Sequence, residues 1–198
     1  FIGDAFQVID DLGKYDVTIL GDVLEHFEKE TAWEFLDKCA SHSTDYLILC
    51  IPLGDKWTQP DIYGNEFERH RSFWSHDEFV PFVSEEGLFD FPGIGPYGAF
   101  LIKAEDYTHH RIREKVERLS GAGREYQAIS YMTGSLQNLP VNLSSELLLV
   151  NLFLKVKMLG PAIDRLERLH SSFPEDPQIE EYLYKLKKIE KSIHSDQS

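Results

Sequence analysis

Residues 15–52 read "YDVTILGDVLEHFEKETAWEFLDKCASHSTDYLILCIP", and their order decides the fold class. Two near-continuous apolar and β-branched runs, "YDVTIL" (15–20) and "YLILCI" (46–51), have the character of parallel strands covered on both faces. Between them Ala32, Phe35, Leu36, Cys39 and Ala40 recur at the spacing of a single helical face. A strand, a helix and a second strand in this order predict a parallel pair joined by a right-handed crossover.

Working outward, "SHDEFVPFVSEEGL" (75–88) predicts a further helix, with Ser75 as N-cap, Gly87 as C-terminal stop and Pro81 shortening or kinking it. "LFDF" (88–91) and "AFLIKA" (99–104) flank "PGIGPYG" (92–98), whose glycines and prolines demand turn geometry, so an antiparallel hairpin is expected to close the sheet. On the other side, "FIGDAFQVID" (1–10) reads as the end of a strand and the following turn, which sets the expectation that further chain precedes it.

After about Glu105 the strand signal stops and a helical period takes over. "AISYMTGSLQNLP" (128–140) and "AIDRLERLHSSFP" (162–174) align at a constant offset, Ala128 over Ala162, Met132 over Leu166, Leu139 over Phe173 and Pro140 over Pro174. This offset and pattern resemble the tetratricopeptide repeat, a helix-turn-helix unit. The resemblance extends to Leu149 and Phe153, with Gly160 and Pro161 near the turn, and departs at Val150 and at polar Lys115. A plain helical bundle is the other reading of the same residues. "PQIEEYLYKLKKIEKS" (177–192) is expected to form a closing helix on Ile179, Leu183, Leu186 and Ile189 or Ile193, with "HSDQS" (194–198) frayed. The expected organisation is α/β over 1–104 and all-α over 105–198.

A chain of 198 residues with 42% hydrophobic content buries a sizeable core. Its formal charge of −14 works against a nucleic-acid partner, because such binding draws on clustered Lys and Arg. No apolar run approaches membrane-spanning length and no signal-peptide pattern opens the chain, so a cytoplasmic protein with no membrane partner is expected. Cys39 and Cys50 lack metal-ligand spacing and are expected to be reduced core residues. Asn142-Leu143-Ser144 is a formal glycosylation sequon without a secretory context.

Asp22, followed three residues later by Glu25, forms a capping-box-like pair. It also sits directly after a parallel strand, where ligands collect in open α/β sheets, and a carboxylate there can accept a ligand ammonium. "GDAFQ" (3–7), "YDVTILGDVLEHF" (15–27), "YLILCIPLG" (46–54) and "IYGNEFERHRSFWSHDEF" (62–79), in that order, resemble the latter part of a class I S-adenosylmethionine-dependent methyltransferase. The resemblance covers about residues 1–104. It implies a partial Rossmann-like methyltransferase sheet, parallel strands followed by a C-terminal antiparallel hairpin, with S-adenosylmethionine as cofactor.

By position, the resemblance implies that Asp4, Ala5 and Phe6 lie beside the adenine and that Gly21, Asp22 and Val23 lie along the methionine part, with Glu25 and His26 opening the next helix. The family's glycine-rich turn and its ribose-binding acid precede the position of Phe1. In the family's strand order the "YDVTIL" strand lies beside the first strand, so an exposed apolar edge is expected here unless further chain or a partner covers it.

"NEFERHRSFW" (65–74) concentrates Glu66, Glu68, Arg69, His70 and Arg71 between aromatics, in a segment expected to overhang the ligand end of the sheet. His70 is the candidate catalytic base, since imidazole titrates near working pH. The other reading pairs His70 and Arg71 with Glu66 or Glu68 to fix the loop. His70 and His76 come with no carboxylate or thiolate arrangement at a known metal-site spacing, so no metal ligand is assigned. The expected activity is methyl transfer to a small-molecule or saccharide acceptor by the intact protein. The alternative is a protein-interaction module working through its helices on a non-catalytic α/β base, or a homodimer formed through the helical region or the strand edge.

Overall fold

The computed structural model describes residues 4–59 and 64–195. The chain divides into two compact units between His110 and Arg111.

The first unit is built on a four-stranded sheet of β1 (Tyr15–Gly21), β2 (Ser43–Pro52), β3 (Val83–Phe91) and β4 (Gly95–Lys103), in the order β1-β2-β4-β3. β1 and β2 are parallel, with Ile19 opposite Ile48 and Leu20 opposite Leu49, while β4 runs antiparallel to both β2 and β3. A short helix α1 (Ala5–Val8) precedes β1, and α2 (Lys29–His42) makes the crossover. The strand-end reading of the first residues falls on 1–3, outside the described residues. From Asp4 onward that stretch is capped helix and turn.

All five apolar positions forecast for α2, from Ala32 to Ala40, are buried. They pack with Leu20, Leu47, Leu49, Ile51, Phe100 and Ile102, the inward-facing residues of the sheet. Trp74, Phe79 and Phe82 complete this core, and Trp33 packs against it with edge or tilted contacts to all three rings.

The expectation of strands covered on both faces is corrected. Val17 and Ile19, on the opposite face of β1, are 43% and 68% exposed, and Tyr15 is exposed with them. The α2 layer satisfies one face only, and β1 is an edge strand. Cys39 is buried and its thiol is pushed up to about 12 by burial, whereas Cys50 is only half-buried; both are free thiols.

The helix expected over 75–87 is also corrected. Only one 3-10 turn, His76–Glu78, forms, and Gly87 lies inside β3 opposite Ala99. The N-terminal signature was legible, since the Glu78 carboxylate accepts the Ser75 N–H at 2.8 Å. Pro81 brings no N–H to continue a helix, and the segment beyond it gains ladder hydrogen bonds by pairing with β4, regular from Glu85 to Phe91. The expected hairpin turn forms at 92–94. Gly95 follows with φ +144°, where a Cβ would stand 2.9 Å from the Trp57 indole nitrogen.

The second unit is helical. α3 (Ala104–Gly121), which belongs to this unit from Arg111 onward, is followed by α4 (Glu125–Ser135), α5 (Leu143–Lys155), α6 (Leu159–Ser172) and α7 (Pro177–Ser195). From α4 onward each helix packs on the next. Ala128 and Ala162, and likewise Met132 and Leu166, are fully buried, each pair 34 positions apart. Val150 is also fully buried, and the Lys115 ammonium sits 4.2 Å from the centre of the Tyr131 ring. Asn142 caps α5, its side-chain oxygen accepting the Ser145 N–H at 3.1 Å. On α7, Ile179, Leu183 and Leu186 are buried, but Ile189 and Ile193 are 48% and 45% exposed, so the apolar face ends earlier than expected. α7 extends to Ser195, and the last three residues of the tail expected to fray lie outside the described residues. Among the described residues no helix is long and apolar enough to cross a membrane.

Candidate functional site at the end of the parallel strands

Asp22 follows β1 with φ +51°, in the left-handed region that a side chain with a Cβ rarely adopts. Its N–H donates to the Cys50 carbonyl at 3.0 Å, which carries the β1–β2 ladder one residue past the strand. Its carboxylate Oδ1 accepts the Tyr97 hydroxyl of β4 at 2.9 Å. The capping-box reading is therefore corrected. Leu24–His26 form a single 3-10 turn whose N-cap is Val23, and no side chain caps it. Glu25 and His26 do not open the next helix either, because α2 starts at Lys29. The backbone reversal at Asp22 intervenes, and its carboxylate turns to β4.

The Tyr97 phenol is raised above the usual tyrosine range by burial and by its bond to Asp22, so it stays a proton donor. The Cys50 thiol is raised by burial and by the Asp22 charge.

Glu25 is 1% exposed, and neither of its carboxylate oxygens has a hydrogen-bond partner. Burial, reinforced by the Asp22 charge, pushes its carboxyl up to about 7. An unfolded chain releases that proton near 4.5, so this group makes the fold less stable as pH rises from there to about 7.

The segment 70–74 is strapped across this turn. The Glu25 carbonyl accepts the N–H groups of Arg71 and Ser72 at 2.7 and 3.1 Å. The Ser72 hydroxyl donates to the Leu24 carbonyl at 3.2 Å and accepts the Trp74 indole N–H at 3.0 Å. Lys29 closes the other side, donating to the Phe73 carbonyl at 2.6 Å and pairing with Glu78.

The strap brings His70 against His26, with ring centroids 5.1 Å apart and planes at 80°. His70 Nδ1 lies 2.6 Å from the Trp57 carbonyl and His26 Nδ1 lies 3.3 Å from the Arg69 carbonyl. One ligand-type atom from each of Glu25, His26 and His70 falls within 4.8 Å of the others.

This grouping escaped the sequence reading, which weighed His70 with His76. His76 instead meets Glu86 at 2.7 Å. The loop-fixing pairs expected of His70 and Arg71 divide: Arg71 reaches Glu66 at 4.0 Å, while His70 turns to a backbone carbonyl. The signal that was available is "LEH" directly after the strand together with "ERH" in the overhanging loop.

Gly21, Asp22 and Val23 thus share one turn with Glu25 and His26. Asp4, Ala5 and Phe6 lie on α1. The Asp4 carboxylate accepts the Phe6 N–H at 2.9 Å, and the Phe6 ring stacks on Phe35 with the Lys38 ammonium 4.4 Å from its centre. Among the described residues no hydrogen bond or ion pair joins the α1 group to the turn.

No family model matches this sequence, and no curated protein matches it. Solved structures that align with part of this chain include the following two. Magnesium protoporphyrin IX methyltransferase from Synechocystis PCC 6803, with bound SAH, shares 20% identity at a TM-score of 0.34, over 50% of this chain and 48% of that one. A protein from Nostoc punctiforme PCC 73102, assigned as an O-methyltransferase, shares 24% identity at a TM-score of 0.35, over 52% of this chain and 36% of that one. The chain therefore spans less than half the length of either protein.

Proposed function

We propose that the intact protein transfers a methyl group from S-adenosylmethionine to a small-molecule or saccharide acceptor. The observation that carries this reading is Asp22. Its carboxylate spends one oxygen on Tyr97 and caps no helix, at the carboxyl end of a parallel strand. Such a group fits the ammonium of the cofactor's methionine part, and it is held in place by a backbone conformation costing about 1–2 kcal/mol. Strain of that kind is tolerated where a site needs a group aimed in one direction.

S-adenosylmethionine, when bound, supplies an electron-poor methyl group on sulfur. In this reading Gly21 leaves the approach open, since a Cβ there would meet nothing within 4 Å. Asp22 and Val23 line the methionine part, and Asp4, Ala5 and Phe6 serve the adenine side. His70, whose Nδ1 faces a carbonyl and so carries the hydrogen, presents Nε2 as the lone pair that takes a proton from the acceptor. Calorimetric titration of S-adenosylmethionine into the full-length protein tests the reading. Asp22→Asn should weaken binding at least ten-fold with little change in unfolding midpoint, and an equal loss of both would overturn it.

A second reading rests on the helical unit. A cleft of about 350 Å³ opens there beside Leu136, Leu139, Val141, Glu146, Arg165 and Arg168. In that reading the helices hold a partner protein, with residues 105–198 as the interacting region. Val141→Glu should then abolish capture of a partner that the unaltered chain retains, and unchanged capture would count against it.

A further inference from the structure

We propose that Glu25, His26 and His70 form a binding site for a divalent transition-metal cation, zinc in the first instance. Two imidazoles and one carboxylate are the donor set of open, catalytic zinc centres, where three protein ligands leave a position for water or substrate. The three ligand-type atoms already lie within 4.8 Å of one another. A cation with bonds of about 2.0–2.2 Å holds such atoms roughly 3.4 Å apart, so its binding would draw the three together.

Two independent features point the same way. First, both rings meet backbone carbonyls through Nδ1, His70 on Trp57 and His26 on Arg69. A carbonyl oxygen only accepts, so in each neutral ring Nδ1 carries the hydrogen and Nε2 keeps the lone pair. This is the outer-shell arrangement that orients metal-binding histidines. Second, the Glu25 carboxylate is buried beside these rings with both oxygens unpartnered. Folded proteins seldom keep such a group without a counter-charge. Asp22 adds a second negative charge beside it, so the turn favours a cation over an anion.

This inference rests on the methyl-transfer reading for its chemical use. A cation here binds an acceptor hydroxyl through its open position and lowers the hydroxyl pKa, and the proton leaves to solvent. The oxygen lone pair then attacks the sulfonium methyl carbon. The carbon–sulfur electron pair stays with sulfur, which becomes a neutral thioether. With the cation bound, His70 is a ligand and the metal replaces it in activating the acceptor. The acceptor class is then a hydroxyl compound, and the product is a methyl ether.

The test uses full-length protein freed of metal by chelator and titrated calorimetrically with zinc chloride, in parallel with S-adenosylmethionine. One equivalent of zinc should bind. Glu25→Gln and His70→Gln should each weaken it at least ten-fold, with unaltered far-ultraviolet circular dichroism, and His76→Ala should leave it unchanged. Absence of saturable zinc binding, or equal affinity in all variants, would overturn the site. Zinc binding without S-adenosylmethionine binding would uphold the metal site and sink the methyl-transfer reading. S-adenosylmethionine binding without zinc would do the reverse.

Discussion

Glu25 in the turn after β1 and Glu146 in α5 are both buried acids, and their surroundings are opposite. Glu146 faces the Arg165 guanidinium with both oxygens, one contact at 2.9 Å to Nη2 and the other to Nε. Glu25 has no partner for either oxygen. A bidentate arginine is how a helical core accommodates a carboxylate. A carboxylate left alone, with two histidines beside it, marks a place where stability has been given up for something else.

The largest effect that would sharpen this contrast is in the paired acid. Arg165→Met should cost about 3–4 kcal/mol by urea unfolding, because it strands a buried charge, while Arg165→Met with Glu146→Met should recover most of that loss. A loss below 1 kcal/mol in the single variant would mean that the pair is solvated.

The unpaired acid should respond with the opposite sign. Glu25→Gln should stabilise the metal-free protein by about 2 kcal/mol at pH 8, where the native carboxyl has been forced to ionise. The gain should shrink as pH falls from about 7 and vanish below about 4.5, since the native carboxyl is then neutral in both folded and unfolded states. Destabilisation at pH 8 would break the comparison. Smaller again, Ser72→Ala should cost about 1 kcal/mol, because it leaves the buried Trp74 indole N–H unpaired and slackens the strap over Glu25. The smallest effect expected is that of Asp22→Gly, about 0.5 kcal/mol or less in stability, since relief of the left-handed strain offsets the lost Tyr97 bond and the added chain entropy. The same substitution should weaken S-adenosylmethionine binding at least ten-fold, as Asp22→Asn does.

Much of the first unit was legible because its elements are set by local periods. The α2 face from Ala32 to Ala40 and the hairpin around Gly93 each follow from spacing within a single segment. The stretch 75–87 misled because Ser75 and Glu78 do form a helix-start signature, which is then overruled by pairing with β4. Val17 and Ile19 misled because an apolar strand reads alike whether one face or both are covered. Asp22 had two readings in sequence, and the left-handed backbone after β1 decided against the cap.

The sequence by itself determined the parallel pair, its crossover helix, the hairpin and the helical character of the C-terminal half, since each depends on residues a few positions apart. Tertiary structure alone decided that Glu25, His26 and His70 meet. Their meeting depends on the 70–74 strap hydrogen-bonding to the main chain of Leu24 and Glu25, and main-chain groups, being the same for every residue, leave no trace in a sequence.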